Sequence, residues 1–332
     1  MVVEQQERTL EIALRPVQGH SATECDQAFI SQCQVIAELK AKIDLIAPSQ
    51  ASVLITGESG TGKEVVARLI HRLGSGPARP FVAINAAALP RDVVDNELFG
   101  HEKEAFTGAI SKKMGCFELA HQGVLFLDEI AEMQPQTQAK LLRAIENKSF
   151  RRLGGREEVA VEVRIIAATN KNISELLKSG AFREDLFYRL SVIELSIPPL
   201  RERAEDIPHL IQHFATVLAA KYNKHPKIFS KDAMELLMIY DWPGNVRELR
   251  NLVERVMIVC SSDTVLPHQL PERISKRTPT RSCIVIPVGT SLEQAKNMVI
   301  EQTLAAVDQN KSAAARLLGV SRRMLITRAK SS

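Results

Sequence analysis

The chain has 332 residues, 45% of them apolar and 25% charged, the balance of a globular protein with enough apolar side chains for about two domains. No apolar run reaches the ~18 residues that a membrane span needs, and the polar start Met1–Arg8 holds no signal-peptide core, so no membrane partner and a cytoplasmic location are expected. The net charge of +4 is uneven: residues 272–332 carry eleven Lys/Arg against four Asp/Glu, a balance of +7 that leaves −3 for residues 1–271. A polyanion partner therefore belongs at the C-terminal end. The five cysteines, Cys25, Cys33, Cys116, Cys260 and Cys283, show no Cys-x-x-Cys spacing; they read as small buried or free thiols rather than as metal ligands or disulfides.

Residues 1–24 are polar and aperiodic and read as an arm. From residue 26 to 46, Ile30, Val35, Ile36, Leu39 and Ile43 recur near helical spacing. Strands and helices then alternate through residue 197. The strands are Val53–Thr56, Phe81–Asn85, Val124–Leu127, Arg164–Thr169 and Val192–Ile197. Between them lie the helical stretches Glu64–Leu73, Pro135–Glu146, Ile173–Ser179 and Arg183–Leu190. Phe150–Leu153 and Glu157–Val163, joined through Gly154-Gly155, read as an inserted hairpin. The alternation predicts an α/β core over 25–197, a parallel sheet covered on both faces.

After Pro198-Pro199 the pattern changes to three helices, Ile207–Ala220, Lys231–Tyr240 and Val246–Cys260, with no strand until past residue 280. That predicts a small helical subdomain over 198–271. Residues 272–290, with Pro279, Pro287 and Gly289, have a linker composition. Residues 291–332 form an all-α helix-turn-helix unit. Its first helix is Ser312–Leu318, its turn Gly319-Val320 and its recognition helix Ser321–Arg328. Ser321 caps that helix. Arg322, Arg323 and Arg328 suit phosphates and guanine edges of DNA.

Two motifs carry chemistry. Gly57-Glu58-Ser59-Gly60-Thr61-Gly62-Lys63-Glu64 follows the first strand and opens a helix. Its glycines let successive backbone N–H groups curl round a phosphate, and the helix adds the positive end of its dipole. Lys63 then reaches the β- and γ-phosphates of ATP. The third strand ends in Asp128-Glu129. Asp128 is placed to hold Mg²⁺ and Glu129 to orient or deprotonate the attacking water. Glu64 stands where a generic phosphate loop has Ser or Thr, so the metal leans on Asp128 and water, or Glu64 marks a subclass.

A parallel sheet with these motifs and a helical lid resembles an AAA+ ATPase. Longer strings narrow the resemblance: Gly57–Glu64, Glu97–Ala109, Gly123–Ile130, Phe182–Leu190, Pro198–Arg203 and Trp242–Leu249. Together they resemble bacterial sigma-54-dependent transcriptional activators, over about residues 25–270 and again over 291–328. Glu after the phosphate-loop Lys is usual in that family. The resemblance implies that Phe106, Thr107 and Gly108, within Ala105–Ala109, engage sigma-54. Glu104 replaces the family's first Gly there and is expected to restrict the loop or add repulsion. The resemblance also implies that Asn85 holds the catalytic Glu129 in check, that Thr169-Asn170 senses the γ-phosphate, that Arg183 and Arg189 are arginine fingers, and that Arg247 contacts nucleotide from the lid. Placed six residues apart on one helix, the two fingers would point roughly 240° apart, so one serves the chemistry and the other the interface. Fingers supplied in trans imply a homo-oligomeric ring, usually a hexamer in this family.

The family continues its recognition helix further than Ile326–Ser332 does, which predicts modest DNA affinity. About 25 residues precede the ATPase, too few for a sensory domain. Regulation is therefore expected from a trans-acting partner, from expression level or from the ATPase itself. The function expected is an ATP-hydrolysing activator that binds upstream DNA and remodels sigma-54 RNA polymerase. The alternative is a DNA-binding regulator with an ATP site but no remodelling activity. A chaperone or helicase motor would not need the Phe106 loop.

Overall fold

The architecture comes from a computed structural model that describes residues 29–105, 109, 111–275, 289–306, 314, 315 and 318–320. Through residue 197 its strands, in chain order, are β1 Val53–Thr56, β2 Phe81–Asn85, β3 Gly100–His101, β4 Lys113–Met114, β5 Val124–Asp128, β6 Ser149–Arg151, β7 Glu158–Ala160, β8 Arg164–Thr169 and β9 Ile193–Ser196. Five of them form one parallel sheet in the order β2-β5-β8-β1-β9. Alternate side chains of these strands enter two different cores. Leu54, Ile84, Leu125, Leu127, Ile165 and Ala167 pack on one face. Val53, Ile55, Val124, Phe126, Ile166 and Ala168 pack on the other. Burial on both faces explains why these strands read as continuous apolar runs.

The expected hairpin is the antiparallel pair β6–β7. The helix Arg91–Phe99 and the antiparallel pair β3–β4 were not predicted. Two-residue strands leave no period to detect. Among the described residues, the helix expected over 26–46 covers only Gln34–Ile46, and residues 29–33 before it are not helical. Residues 31–33 are instead held by the buried Asp206, whose carboxylate accepts from Ser31 Oγ at 2.7 Å, Gln32 N at 2.9 Å and Cys33 N at 3.1 Å, and Cys33 is extended. A distant carboxylate here outweighs local helical spacing.

The helical lid follows Pro198-Pro199 and has its own core. Its main helices are Ile207–Tyr222, Lys231–Ile239 and Asn245–Val259. The expectation of no strand before residue 280 is corrected by β10 Ile228–Phe229, which pairs in parallel with β11 Thr264–Val265. Trp242 anchors this core: it is fully buried, stands edge-on to Tyr240 at 5.0 Å and donates from Nε1 to the Leu237 carbonyl at 2.9 Å. Trp242→Ala removes that packing and is expected to destabilise the lid by about 3–5 kcal/mol. Denaturant unfolding followed by circular dichroism measures the loss.

A second compact unit runs from Ser275. Its helix Leu292–Ala306 opens on a capping box, with Gln294 N donating to Ser291 Oγ at 3.3 Å and Ser291 N to Gln294 Oε1 at 3.2 Å. Ala314 and Ala315 are helical and buried, and Ile300, Leu304, Leu318 and Val320 pack on them. Gly319 takes the left-handed turn at φ +64°, as the sequence predicts. Ser321, Arg322, Arg323 and Arg328 lie outside the described residues. Among the described residues, Cys33, Cys116 and Cys260 are buried free thiols, and no helix is long and apolar enough to cross a membrane.

Candidate functional site

Parallel register brings the motif residues to one edge of the sheet. Asn85 lies opposite Asp128 and Thr56 opposite Thr169, all at strand C-terminal ends. The Gly57–Glu64 loop leaves β1 at that edge and enters the helix Lys63–Gly74. Gly60 and Gly62 have φ of +79° and +106°, conformations that favour glycine. A side chain at Gly60 would also collide with the Gly244 carbonyl. Lys63 is buried against the loop; its Nζ donates to the Gly57 carbonyl at 2.9 Å and lies 3.5 Å from Glu129 Oε1. Glu64 turns outward to Arg68 at 2.6 Å.

Asp128 Oδ2 accepts from Asn85 Nδ2 at 2.9 Å, and its Oδ1 accepts from Glu129 N at 3.1 Å. Glu129 sits in a left-handed backbone at φ +52°, and its Oε2 accepts from the Asn170 backbone N at 3.1 Å. The contact expected between Asn85 and Glu129 is thus made to Asp128 instead, because register places Asn85 beside the preceding residue. Burial, and then the charge of Glu129, push the Asp128 carboxyl above its ordinary range, while Lys63 opposes them. Two adjacent carboxylates, one strained by burial, are what a hard divalent cation relieves. Among the described residues no group of three or more His, Cys, Asp or Glu could hold a metal unaided. Mg²⁺ therefore fits here only with phosphate and water oxygens completing its shell.

The lid closes the site. Arg247 donates from Nη1 to Ser59 Oγ at 3.0 Å and from its backbone N to the Gly60 carbonyl at 3.3 Å. Arg203, buried in the lid hinge, donates to the Thr61 carbonyl at 3.1 Å. Arg201 and Asn245 reach Glu58. Reading the sequence missed these three residues; the strings Pro198–Arg203 and Trp242–Leu249 contain them, but neither says that they touch the loop.

Arg183 and Arg189, the arginines expected to act as fingers, do not join this cluster. Arg183 is not within the helix Glu184–Leu190 but caps it with an extended backbone, so the expected angular argument fails. Its guanidinium pairs with Asp185 at 2.6 Å. Arg189 is exposed and lines a cleft of about 220 Å³ with Gln50, Ser52, Lys148, Val161 and Val192. Those residues precede β1, β8 and β9, so the cleft lies at the opposite edge of the sheet. Phe106, Thr107 and Gly108 fall outside the described residues, but the loop's base is defined. Glu104 N donates to the Ala109 carbonyl at 2.8 Å, and Glu104 adopts φ +66°.

Comparison with known proteins agrees with this geometry. The Sigma-54 interaction domain family matches residues 29–196, the AAA+ ATPase lid domain family residues 201–283, and the Fis family of bacterial regulatory proteins residues 291–330. Transcriptional regulatory protein ZraR of Escherichia coli (strain K12) is 42% identical over 305 residues, which are 90% of this chain and 68% of ZraR. Nitrogen fixation protein AnfA of Azotobacter vinelandii is 41% identical over 90% of this chain and 56% of its own length. The crystal structure of NtrX from Brucella abortus in complex with ADP superposes with a TM-score of 0.70 at 34% identity, over 99% of this chain and 72% of that one. An AAA+ core, a lid and a Fis-type helix-turn-helix thus follow one another in the expected order, and the match across 29–196 decides the family: this chain belongs to the bacterial sigma-54-dependent transcriptional regulators.

Proposed function

We propose that the protein is an ATP-hydrolysing transcription activator of the bacterial cytoplasm that binds DNA upstream of a promoter and remodels sigma-54 RNA polymerase so that the promoter opens. The reading rests on one observation above all, the Lys63–Glu129 approach of 3.5 Å across the mouth of the glycine loop. Backbone N–H groups of residues 57–63 bind the phosphates, and Lys63 neutralises the β- and γ-oxygens. Asp128 would hold Mg²⁺, which would offset charge on the transferred phosphoryl group. Glu129, oriented by the Asn170 N–H, aligns the attacking water and takes its proton. Arg247 follows the nucleotide from the lid. The loop carrying Phe106, Thr107 and Gly108 engages sigma-54, and Ser321, Arg322, Arg323 and Arg328 contact DNA.

Arg183 and Arg189 serve the pocket of a neighbouring copy, which requires a head-to-tail ring, a hexamer by family habit. Within one chain neither contacts Lys63, Asp128 or Glu129 among the described contacts, which supports a role in trans. Arg183→Ala and Arg189→Ala should each lower turnover about 10³-fold. Mixing either with Lys63→Ala should restore part of it, since a mixed ring pairs an intact pocket with an intact finger. Absence of rescue in rings shown to be mixed would argue against fingers in trans.

The experiment that tests the function as a whole is capture of purified sigma-54 with ADP–aluminium fluoride and Mg²⁺. Retention of sigma-54 only with the transition-state analogue is expected. ATPase activity and DNA binding without any capture would favour the non-remodelling regulator.

A further inference from the structure

Glu58 is the second residue of the phosphate loop, and its carboxylate is not directed at the site. It accepts from Arg201 Nη2 at 2.6 Å, from Arg201 Nη1 at 2.9 Å and from Asn245 Nδ2 at 3.1 Å. Asn245 is completely buried; its Nδ2 also donates to the Ser59 carbonyl at 3.1 Å, and its Oδ1 accepts from Leu200 N at 2.8 Å. Arg201 and Leu200 form the first turn of the lid hinge, and Asn245 begins the lid helix Asn245–Val259. The sheet holds the start of the phosphate loop, where Gly57 N donates to the Thr169 carbonyl at 3.3 Å, while the lid holds the Glu58 side chain and the Ser59 carbonyl.

Two physical consequences follow. A loop with glycines at 57, 60 and 62 does not keep one shape unaided, so its clamps decide how well its N–H groups are arranged for a polyphosphate. A carboxylate beside that loop also opposes the binding of a polyanion unless a cation neutralises it. Arg201 does both, as a fork that matches the carboxylate. The Arg201 hydrogen bonds, and then the Asn245 bond, lower the Glu58 carboxyl from its ordinary value.

On the reading that this loop binds ATP, we infer that Arg201 and Asn245 are positioning residues that act through Glu58: the loop keeps its phosphate-binding form only while the lid is docked, so lid displacement and phosphate release are one event. The sequence assigns Glu58 to the nucleotide. Its N–H remains available for that, while its side chain belongs to the lid.

A double-mutant cycle on the full chain tests this, with a fluorescent ATP analogue and Mg²⁺ as the probe. Arg201→Ala should weaken binding about tenfold, because it leaves the Glu58 charge unpaired beside the phosphates. Adding Glu58→Gln removes that charge, keeps the Asn245 bond, and should return affinity to within about threefold of wild type. KM should follow the affinities, with kcat at saturation changing much less. The Arg201–Glu58 pair is 42% exposed on both sides, so the melting temperature without nucleotide should barely move. A merely structural role would instead lower melting temperature in step with affinity and give no recovery in the double variant. Wild-type affinity in Arg201→Ala, or no recovery in the double variant, overturns the inference. A wild type that binds no ATP analogue overturns the nucleotide reading itself, and this inference with it.

Discussion

Glu129→Gln is expected to lower ATP turnover by about 10²–10⁴-fold while ATP affinity stays within a few-fold of wild type. Glutamine keeps the size of the side chain and can still accept from the Asn170 N–H, the 3.1 Å contact that orients Glu129. What it loses is the charge that polarises water and the capacity to take a proton. Asp128→Asn should behave differently. It weakens the metal ligand and leaves the Asn85 contact at 2.9 Å facing an amide, so Mg²⁺ dependence shifts along with turnover. Phosphate release under single-turnover conditions, together with equilibrium ATP binding, separates the two. Wild-type turnover in Glu129→Gln would show that another group activates the water.

Phe106→Ala and Thr107→Ala should each leave ATP hydrolysis largely intact and abolish promoter opening. The stretch that carries them joins β3 to β4. Its base is braced independently of the nucleotide residues. Glu102 N donates to the Leu153 carbonyl at 3.0 Å, and Arg152 pairs with Glu102 at 2.7 Å. Truncating Phe106 or Thr107 is therefore expected to remove the proposed contact with sigma-54 without disturbing Lys63 or Glu129. Glu104 adds a second arm to the experiment. It holds a left-handed backbone at φ +66°, which costs a non-glycine residue about 1–2 kcal/mol. Glu104→Gly removes that strain and a charge at the loop base, and promoter opening should be retained or raised. Promoter opening by both the Phe106 and Thr107 variants would show that the protein does not work through this loop.

The core was legible because a parallel sheet buries both faces. Val53–Thr56, Phe81–Asn85 and Arg164–Thr169 have the bounds expected from their apolar runs and the polar residues that flank them. The two motifs were legible for a related reason: phosphate and metal chemistry demands particular residues at strand ends, so Lys63, Asp128 and Glu129 stand out in the chain. What stayed hidden depends on contacts far apart in sequence. Asp206 holds residues 31–33 from some 170 residues away, and no local pattern predicts that. Arg201, Arg203 and Asn245 meet the phosphate loop only once the lid has folded. Asn85 met Asp128 rather than Glu129 because strand register, not motif spacing, sets that partner. Strands of two residues, such as β3, β4, β10 and β11, are too short for any periodicity to report.

ATP hydrolysis by this chain is expected to drive promoter opening. The measurement that meets it most directly is permanganate footprinting of a sigma-54 promoter, with purified sigma-54 RNA polymerase and this protein, in the presence of ATP or of a non-hydrolysable analogue. Melting of the promoter with ATP, none with the analogue and none with the Glu129→Gln protein is the result expected. A promoter that stays closed with ATP, while the same preparation hydrolyses ATP and binds the upstream DNA, would contradict the account.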